Sequence, residues 1–226
     1  MKSEKISQLT TNRLSIYLRC LKELASEGLT SVSSDSLADR FHLNSAQIRK
    51  DLAYFGEFGV RGVGYDIALL RDHIIRILGL DRSYNLAIIG AGRLGSALVD
   101  YEGLLRSSFH VKALFDVDPK KIGKKVGGIT ITDLKNFQSV VKKANIDVAV
   151  IAVPANAAPD VFEKIKKAGI RAVLNFAPVR LNADDEMRVR SLDVNSGLES
   201  LSYFLTERPQ PGDKPKPAGK ARKSAQ

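Results

Sequence analysis

Residues able to do chemistry gather first around Gly90-Ala91-Gly92-Arg93-Leu94-Gly95. The G-x-G-x-x-G spacing gains force from its setting. Tyr84-Asn85-Leu86-Ala87-Ile88-Ile89 reads as a strand before it, and Ser96-Ala97-Leu98 opens a helix after it. There, Gly90 allows a tight turn and Gly92 lets the backbone approach a pyrophosphate. Gly95 lets helix and strand pack closely, and the helix N-terminus meets the negative charge. The next strand, Val111 to Phe115, ends at Asp116, 21 residues after Gly95. A carboxylate there binds adenine-ribose hydroxyls and repels a 2′-phosphate, which predicts NAD(H) over NADP(H). Asp118 is the less well-placed acid. A glycine turn that binds nothing, or one that takes another phosphate ligand such as coenzyme A, would show the same pattern.

Further strands are predicted over Asp147–Val153 and Arg171–Asn175, joined by a helix from about Pro159 to Ala168. Right-handed parallel crossovers follow. Ligands bind beyond the carboxyl ends of such strands. Val153-Pro154-Ala155 and Asn175-Phe176-Ala177-Pro178 occupy those ends, so Val153, Pro154 and Phe176 are candidate apolar contacts for a nicotinamide face.

A second cluster lies in the first 82 residues. Leu14, Tyr17, Leu18, Leu21 and Ala25 keep helical spacing and predict a helix ending near Gly28. Ser33 or Ser34 can cap a short helix with Leu37, Ala38 and Phe41 on its apolar face. His42-Leu43-Asn44 makes a turn, and Asn44 or Ser45 caps a third helix to Phe55. This is the helix-turn-helix pattern. On the third helix Ile48, Leu52 and Phe55 point inward. Ala46, Lys50 and Ala53 point away, flanked by Gln47 and Arg49. Small residues with one or two cations let a helix lie in a DNA major groove, where Lys or Arg reaches guanine and alanine meets the thymine methyl. Four glycines between Gly56 and Gly64 then predict a β-hairpin wing. Arg61 near its tip suits a narrow minor groove. The candidate DNA contacts are Ser45, Ala46, Gln47, Arg49, Lys50, Arg61, Gly64 and Tyr65.

These sites need two folds to position them. The 226 residues carry 35 Lys/Arg against 25 Asp/Glu, a net charge of +10. Half of that excess lies in the Pro-rich tail 208–226, with six cations and one carboxylate. The tail is expected to be disordered. A basic overall charge therefore does not establish nucleic-acid binding; the local placement of cations must. No apolar run is long enough for a membrane span, and the N-terminus lacks a signal-peptide core. Cys20 is the single cysteine and the three histidines are scattered, so neither a disulfide nor a metal site is expected. A cytoplasmic location follows as the default. The expected fold is α/β. A winged helix-turn-helix domain occupies 1–82 and a Rossmann doubly wound parallel sheet occupies 83–193. A C-terminal helix spans 194–207, with Val194, Leu198, Leu201 and Leu205 on one stripe.

The whole arrangement resembles the Rex family of bacterial redox-sensing transcriptional repressors. The resemblance rests on Ser45–Gly56, Arg61–Tyr65, the Gly90–Gly95 loop, Phe115–Pro119 and Leu174–Pro178, and covers about residues 6–207. It implies a homodimer on a pseudo-palindromic double-stranded DNA operator, compatible with NAD⁺ and released by NADH. It also implies that the C-terminal helix is swapped between protomers. Arg13, Tyr101 (two turns into the helix after the glycine loop) and Asp193 carry over as an interdomain redox switch. The basic tail has no place in that pattern. Two other readings remain: a small NAD-dependent dehydrogenase, which lacks room for a substrate domain, and a module for another nucleotide such as coenzyme A.

Overall fold

A computed structural model of the chain describes residues 7–60, 62–105 and 107–206. Arg61 and the tail 208–226 lie outside the described residues. The chain forms two compact units. The first runs up to Ser83 and takes in the short segment ending at Ser108; the second holds Tyr84–Leu105 and continues from Phe109.

In the first unit the local signals act as their chemistry dictates. Helix α1 (Gln8–Ser26) starts at Ser7, whose hydroxyl accepts from the Thr10 N–H, and buries Leu14, Tyr17, Leu18 and Leu21. After β1 (Ser31–Val32), Ser33 rather than Ser34 caps α2 (Ser34–Phe41). That helix ends at His42 in the left-handed region, φ 53°. Asn44 rather than Ser45 caps α3 (Ser45–Phe55), its oxygen accepting from the Gln47 N–H at 2.8 Å. The wing is the antiparallel pair β2 (Gly59–Val60) and β3 (Gly64–Asp66), and β3 also pairs with β1. Gly64 sits at φ +100°, and a Cβ there would lie 2.6 Å from the Val32 carbonyl oxygen. Only glycine therefore lets β3 run this close to β1. Helix α4 (Ile67–Ile77) packs on α1. Leu14, Leu21, Leu37, Ile48, Leu52, Leu70 and Ile74 close the core, each aliphatic side chain contributing about 1.5–3 kcal/mol by leaving water.

The second unit is built on a seven-stranded sheet. Its elements are β4 (Tyr84–Ile89), α5 (Arg93–Val99), α6 (Glu102–Leu105), β5 (Phe109–Asp116), β6 (Lys125–Val126), β7 (Ile129–Asp133), α7 (Phe137–Lys143), β8 (Val148–Ile151), α8 (Ala158–Lys167), β9 (Ala172–Asn175), β10 (Arg188–Ser191) and α9 (Val194–Thr206). The strand order is β10-β9-β8-β4-β5-β7-β6. All neighbours are parallel except the edge pair β6–β7. Alternation along the strands explains the layering. Ala87, Ile89, Ala113, Phe115, Ala149 and Ile151 face a core with residues of α7 and α8. Leu86, Ile88, Leu114 and Val150 face the other, with Leu98 and Val99 of α5 and Leu104 of α6. A sheet buried on both faces reads as a nearly continuous apolar run, as β4 does. The strand order reverses between β4 and β8, which opens a crevice beyond their carboxyl ends.

Two features depart from the sequence expectation. The helix after the glycine loop ends at Val99, so Tyr101 lies in the break before α6 rather than two turns inside a helix. Its N–H reaches back to the Leu98 carbonyl, three residues away, at 3.4 Å, which tightens the last turn and ends the helical ladder. Strand β10 was not anticipated. Only Val189 is apolar in it, and it is a strand because it pairs with β9. Every described side chain of α9 is exposed.

Candidate functional site

The crevice of the second unit is a cleft of about 680 Å³ lined by Gly90, Gly92, Arg93, Leu94, Asp116, Val153 and Pro154, among others. Gly90 follows β4 at φ +105°, and a Cβ there would fall 2.5 Å from the Ala152 carbonyl oxygen. At Gly95 a Cβ would lie 1.8 Å from the Gly90 carbonyl oxygen. Both glycines are thus demanded by the fold. Gly92 is different: a Cβ there meets nothing within 4 Å. It caps α5 without any side-chain hydrogen bond to the first N–H groups of that helix, and Gly92, Arg93 and Leu94 line the cleft. This open backbone is what a pyrophosphate needs. Ala91 is buried and its N–H donates to Asp116.

Asp116 ends β5 at the cleft, but its oxygens are already engaged. Oδ1 accepts from the Val117 and Asp118 N–H groups at 2.8 and 2.9 Å. Oδ2 accepts from the Ala91 N–H and from Lys121 Nζ, each at 2.9 Å. Burial pushes this carboxyl up, but the Asp118 N–H, Lys121 and Ala91 outweigh it and hold the group below the ordinary carboxylate range. Lys121 had no signal in the sequence beyond lying five residues downstream. Lys164 and Asp160 of α8 also line the cleft, and neither belongs to a motif in the sequence. Asp118 accepts from the Lys120 N–H at 2.9 Å.

Phe176 is not among the cleft-lining residues. It packs, half-buried, against the core that holds Ile88 and Ala91. The loop behind it is shaped by Asn175, which is fully buried. Its Oδ1 accepts from the Ala177 N–H at 2.9 Å, and its Nδ2 lies 3.0 Å from both the Ala177 and Val179 carbonyl oxygens. Tyr101 and Asp193 are exposed, and Asp193 accepts from the Asn195 N–H at 2.9 Å. Among the described residues no group of three or more His, Cys, Asp or Glu side chains could hold a metal ion. No helix among them is long and apolar enough to cross a membrane.

In the first unit, Ala46, Lys50 and Ala53 of α3 are exposed on one face, as their spacing predicts. The flanking residues are tied down. Arg49 donates to Ser34 Oγ at 2.7 Å and Asp35 Oδ1 at 3.2 Å. Ser45 and Arg49 together hold the Asp35 carboxyl below its usual value. Gln47 Nε2 donates to Asp51 Oδ1 at 2.8 Å. Tyr65 is half-buried against the core, and burial pushes its phenol up. Gly59, Gly64, Tyr65, Arg49 and Ser33 line a groove between the wing and the start of α2.

Asp51 is the residue that sequence reasoning missed. It is 3% exposed. Arg13 grips it with Nε on Oδ2 at 2.5 Å and Nη2 on Oδ1 at 2.8 Å, and the Tyr17 hydroxyl donates to Oδ2 at 2.9 Å. Burial drives the Asp51 carboxyl up, but hydrogen bonds from Arg13, Gln47 and Tyr17 outweigh it and keep it ionised below the usual range. Burial, then Asp51, pushes the Tyr17 phenol up. The signal was present: a carboxylate between Ile48 and Leu52 on the inward side of an amphipathic helix requires a buried partner. Arg13 therefore ties α1 to α3.

Two family models match the chain: a putative DNA-binding protein N-terminus over residues 5–53 and a CoA binding domain over 81–179. The chain is 46% identical to the redox-sensing transcriptional repressor Rex of Carboxydothermus hydrogenoformans over 205 residues, 91% of this chain and 99% of that protein. It is 47% identical to the Rex of Syntrophomonas wolfei, over 91% of this chain and 98% of that one. Among solved structures, RSP in complex with β-NAD⁺ and operator DNA superposes with a TM-score of 0.87 at 33% identity, over 91% of this chain and 94% of that one. RSP in complex with β-NADH gives 0.82 at 32% identity, over 89% and 95%. With that likeness running through both compact units, the chain belongs to the Rex family of redox-sensing transcriptional repressors.

Proposed function

We propose that this protein represses transcription by binding an operator, and that the NADH/NAD⁺ ratio sets its affinity for DNA. The observation that carries the reading is the joining, in one chain, of a helix-turn-helix with an open recognition face to a glycine-loop cleft at a sheet's switch point. The relatives are named as repressors rather than enzymes. We assign residues 1–82 to DNA binding, 83–193 to NAD(H) and 194–207 to dimerisation.

The open backbone at Gly92, with Gly90, Arg93 and Leu94 beside it, fits a dinucleotide pyrophosphate, and Val153 and Pro154 offer an apolar wall. The nicotinamide supplies a difference of one positive charge between its two states. Asp116 and Lys121 form the polar end of the cleft. Lys121 partly neutralises the acid, so rejection of a 2′-phosphate rests on how firmly that lysine stays paired. Ser45, Ala46 and Lys50 meet the major groove. Gly64 and Tyr65 place the wing, and Arg61 is assigned to DNA contact by its chemistry alone.

Coupling is assigned to Arg13, Tyr101 and Asp193. Arg13 is held by Asp51, so any competing carboxylate must offset that bond, and loosening it removes one of the ties between α1 and α3. The exposed stripe Val194, Leu198, Leu201 and Leu205 supports burial against a second copy. A dimer places half-sites about one helical turn apart. Such a regulator works where the chromosome is, in the cytoplasm. Titrating NADH and then NAD⁺ into the protein bound to a labelled palindromic duplex at fixed salt tests the reading. Selective release by NADH is expected; indifference to both would leave two uncoupled modules. One specific observation favours a second ligand, the match of residues 81–179 to a CoA binding domain. Competition between NADH and coenzyme A decides between them.

A further inference from the structure

Gln47 is the third residue of α3, where side chains near the helix N-terminus reach base edges. Its amide does not rotate freely. Nε2 donates to Asp51 Oδ1, while Arg13 and Tyr17 hold that carboxylate from the other side. An ionised carboxylate only accepts, so the amide cannot turn over without setting oxygen against oxygen. One of its two N–H groups is therefore consumed, leaving the other N–H and Oε1.

We propose that Gln47 reads an adenine in each operator half-site and that Asp51 is the positioning residue that gives it this selectivity. The inference rests on the DNA-binding reading above. Adenine presents N7 as acceptor beside N6–H₂ as donor, which the remaining N–H and Oε1 match. Guanine presents two acceptors, N7 and O6. A free glutamine amide could turn both N–H groups toward them, but the Asp51 bond removes one. The carboxylate that Arg13 holds against α1 thus also narrows, through its bond to Gln47, what α3 can read. Ala46, Lys50 and Ala53 remain exposed beside it to read the neighbouring positions.

The test is selection from a pool of duplexes randomised across two inverted half-sites, with full-length protein and NAD⁺ present. The wild type is expected to enrich an adenine at one position per half-site. Gln47→Ala should lose preference there alone, by about 5- to 150-fold, the range for one bidentate base contact. Asp51→Ala, checked for folding by thermal unfolding, should keep the adenine and admit guanine at that position. Should that variant not fold, Gln47→Glu retains the Arg13–Asp51 pair and removes the donor. It is expected to replace adenine by cytosine, whose N4–H₂ a carboxylate accepts. A Gln47→Ala pool identical to wild type overturns the proposal, as does uniform weakening at every position or a Gln47→Glu pool unchanged at that position. A folded Asp51→Ala variant that excludes guanine as strictly as wild type also overturns it. No enrichment by the wild type overturns the DNA-binding reading and the proposal with it.

Discussion

Substituting each glycine of the loop by alanine separates the needs of the fold from those of the ligand. A Cβ at Gly95 would stand 1.8 Å from the Gly90 carbonyl oxygen and 3.4 Å from Ile88 Cγ2. Atoms repel steeply inside van der Waals contact, so α5 and β4 must part by more than about 1 Å. Overpacking of this kind costs about 1–3 kcal/mol, which lowers Tm by roughly 2–12 °C for a chain of this size. At Gly92 a Cβ meets no protein atom within 4 Å. Gly92→Ala should therefore lose only the small N-capping difference between glycine and alanine, less Tm than Gly95→Ala, yet bind NADH at least tenfold more weakly, about 1.4 kcal/mol, because the methyl stands where the pyrophosphate must approach. Calorimetry without ligand gives the first quantity, and NADH fluorescence titration the second. Equal Tm losses in the two variants, or full NADH affinity in Gly92→Ala, would refute the assignment of Gly95 to packing and Gly92 to the ligand.

Asp51 and Asp116 have carboxyls held below their ordinary value. Their contribution to stability is complete above about pH 4, the unfolded carboxylate range, and is lost as pH falls through the depressed folded values. Acid titration of Tm should show this loss, with Asp51→Asn flattening part of it. Removing that carboxylate altogether in Asp51→Ala should cost less than the roughly 3–5 kcal/mol of a fully buried pair, since the Arg13 side chain is 31% exposed. Leu201→Glu places a charge on the exposed stripe of α9 and should give a monomer by light scattering; a retained dimer would place the interface elsewhere. Lys50→Ala should weaken operator binding by about 1–3 kcal/mol with smaller loss on unrelated duplexes; equal loss on all sequences would make Lys50 a phosphate contact. Asp116→Ala should relax the preference for NAD(H) over NADP(H) in paired titrations, and unchanged discrimination would remove Asp116 from ribose recognition.

Much of this protein is legible in its amino-acid sequence, because its strongest signals are local. The strand Tyr84–Ile89 is a run of residues that suit a sheet buried on both faces, and Gly90 and Gly95 after it are demanded by the turn and by close packing. Ser33 and Asn44 cap helices through oxygens three residues from the N–H groups they satisfy, so chain order narrows each cap to two neighbouring residues and the structure chooses between them. The outward face of α3 follows from a period of 3.6 residues.

What the sequence leaves open depends on contacts between distant positions. Asp51 meets Arg13 across 38 residues, and nothing local says that a carboxylate on α3 will grip a guanidinium on α1. Gln47 is pinned by Asp51 one turn along the same helix, while Arg13 and Tyr17 hold that carboxylate from the other side. Asp116 was visible as an acid at the right distance from the glycine loop, but only the fold brings the Ala91 N–H of that loop to it beside the turn after β5, so that both its oxygens are engaged. Phe176 follows β9 at the carboxyl end of the sheet, yet it packs half-buried against the core beside Ile88 and is not among the cleft-lining residues. Spacing assigns a residue to an element and a face. Which partner it finds there is decided when the elements pack, because hydrogen bonds and burial act over a few ångströms of space whatever the separation along the chain.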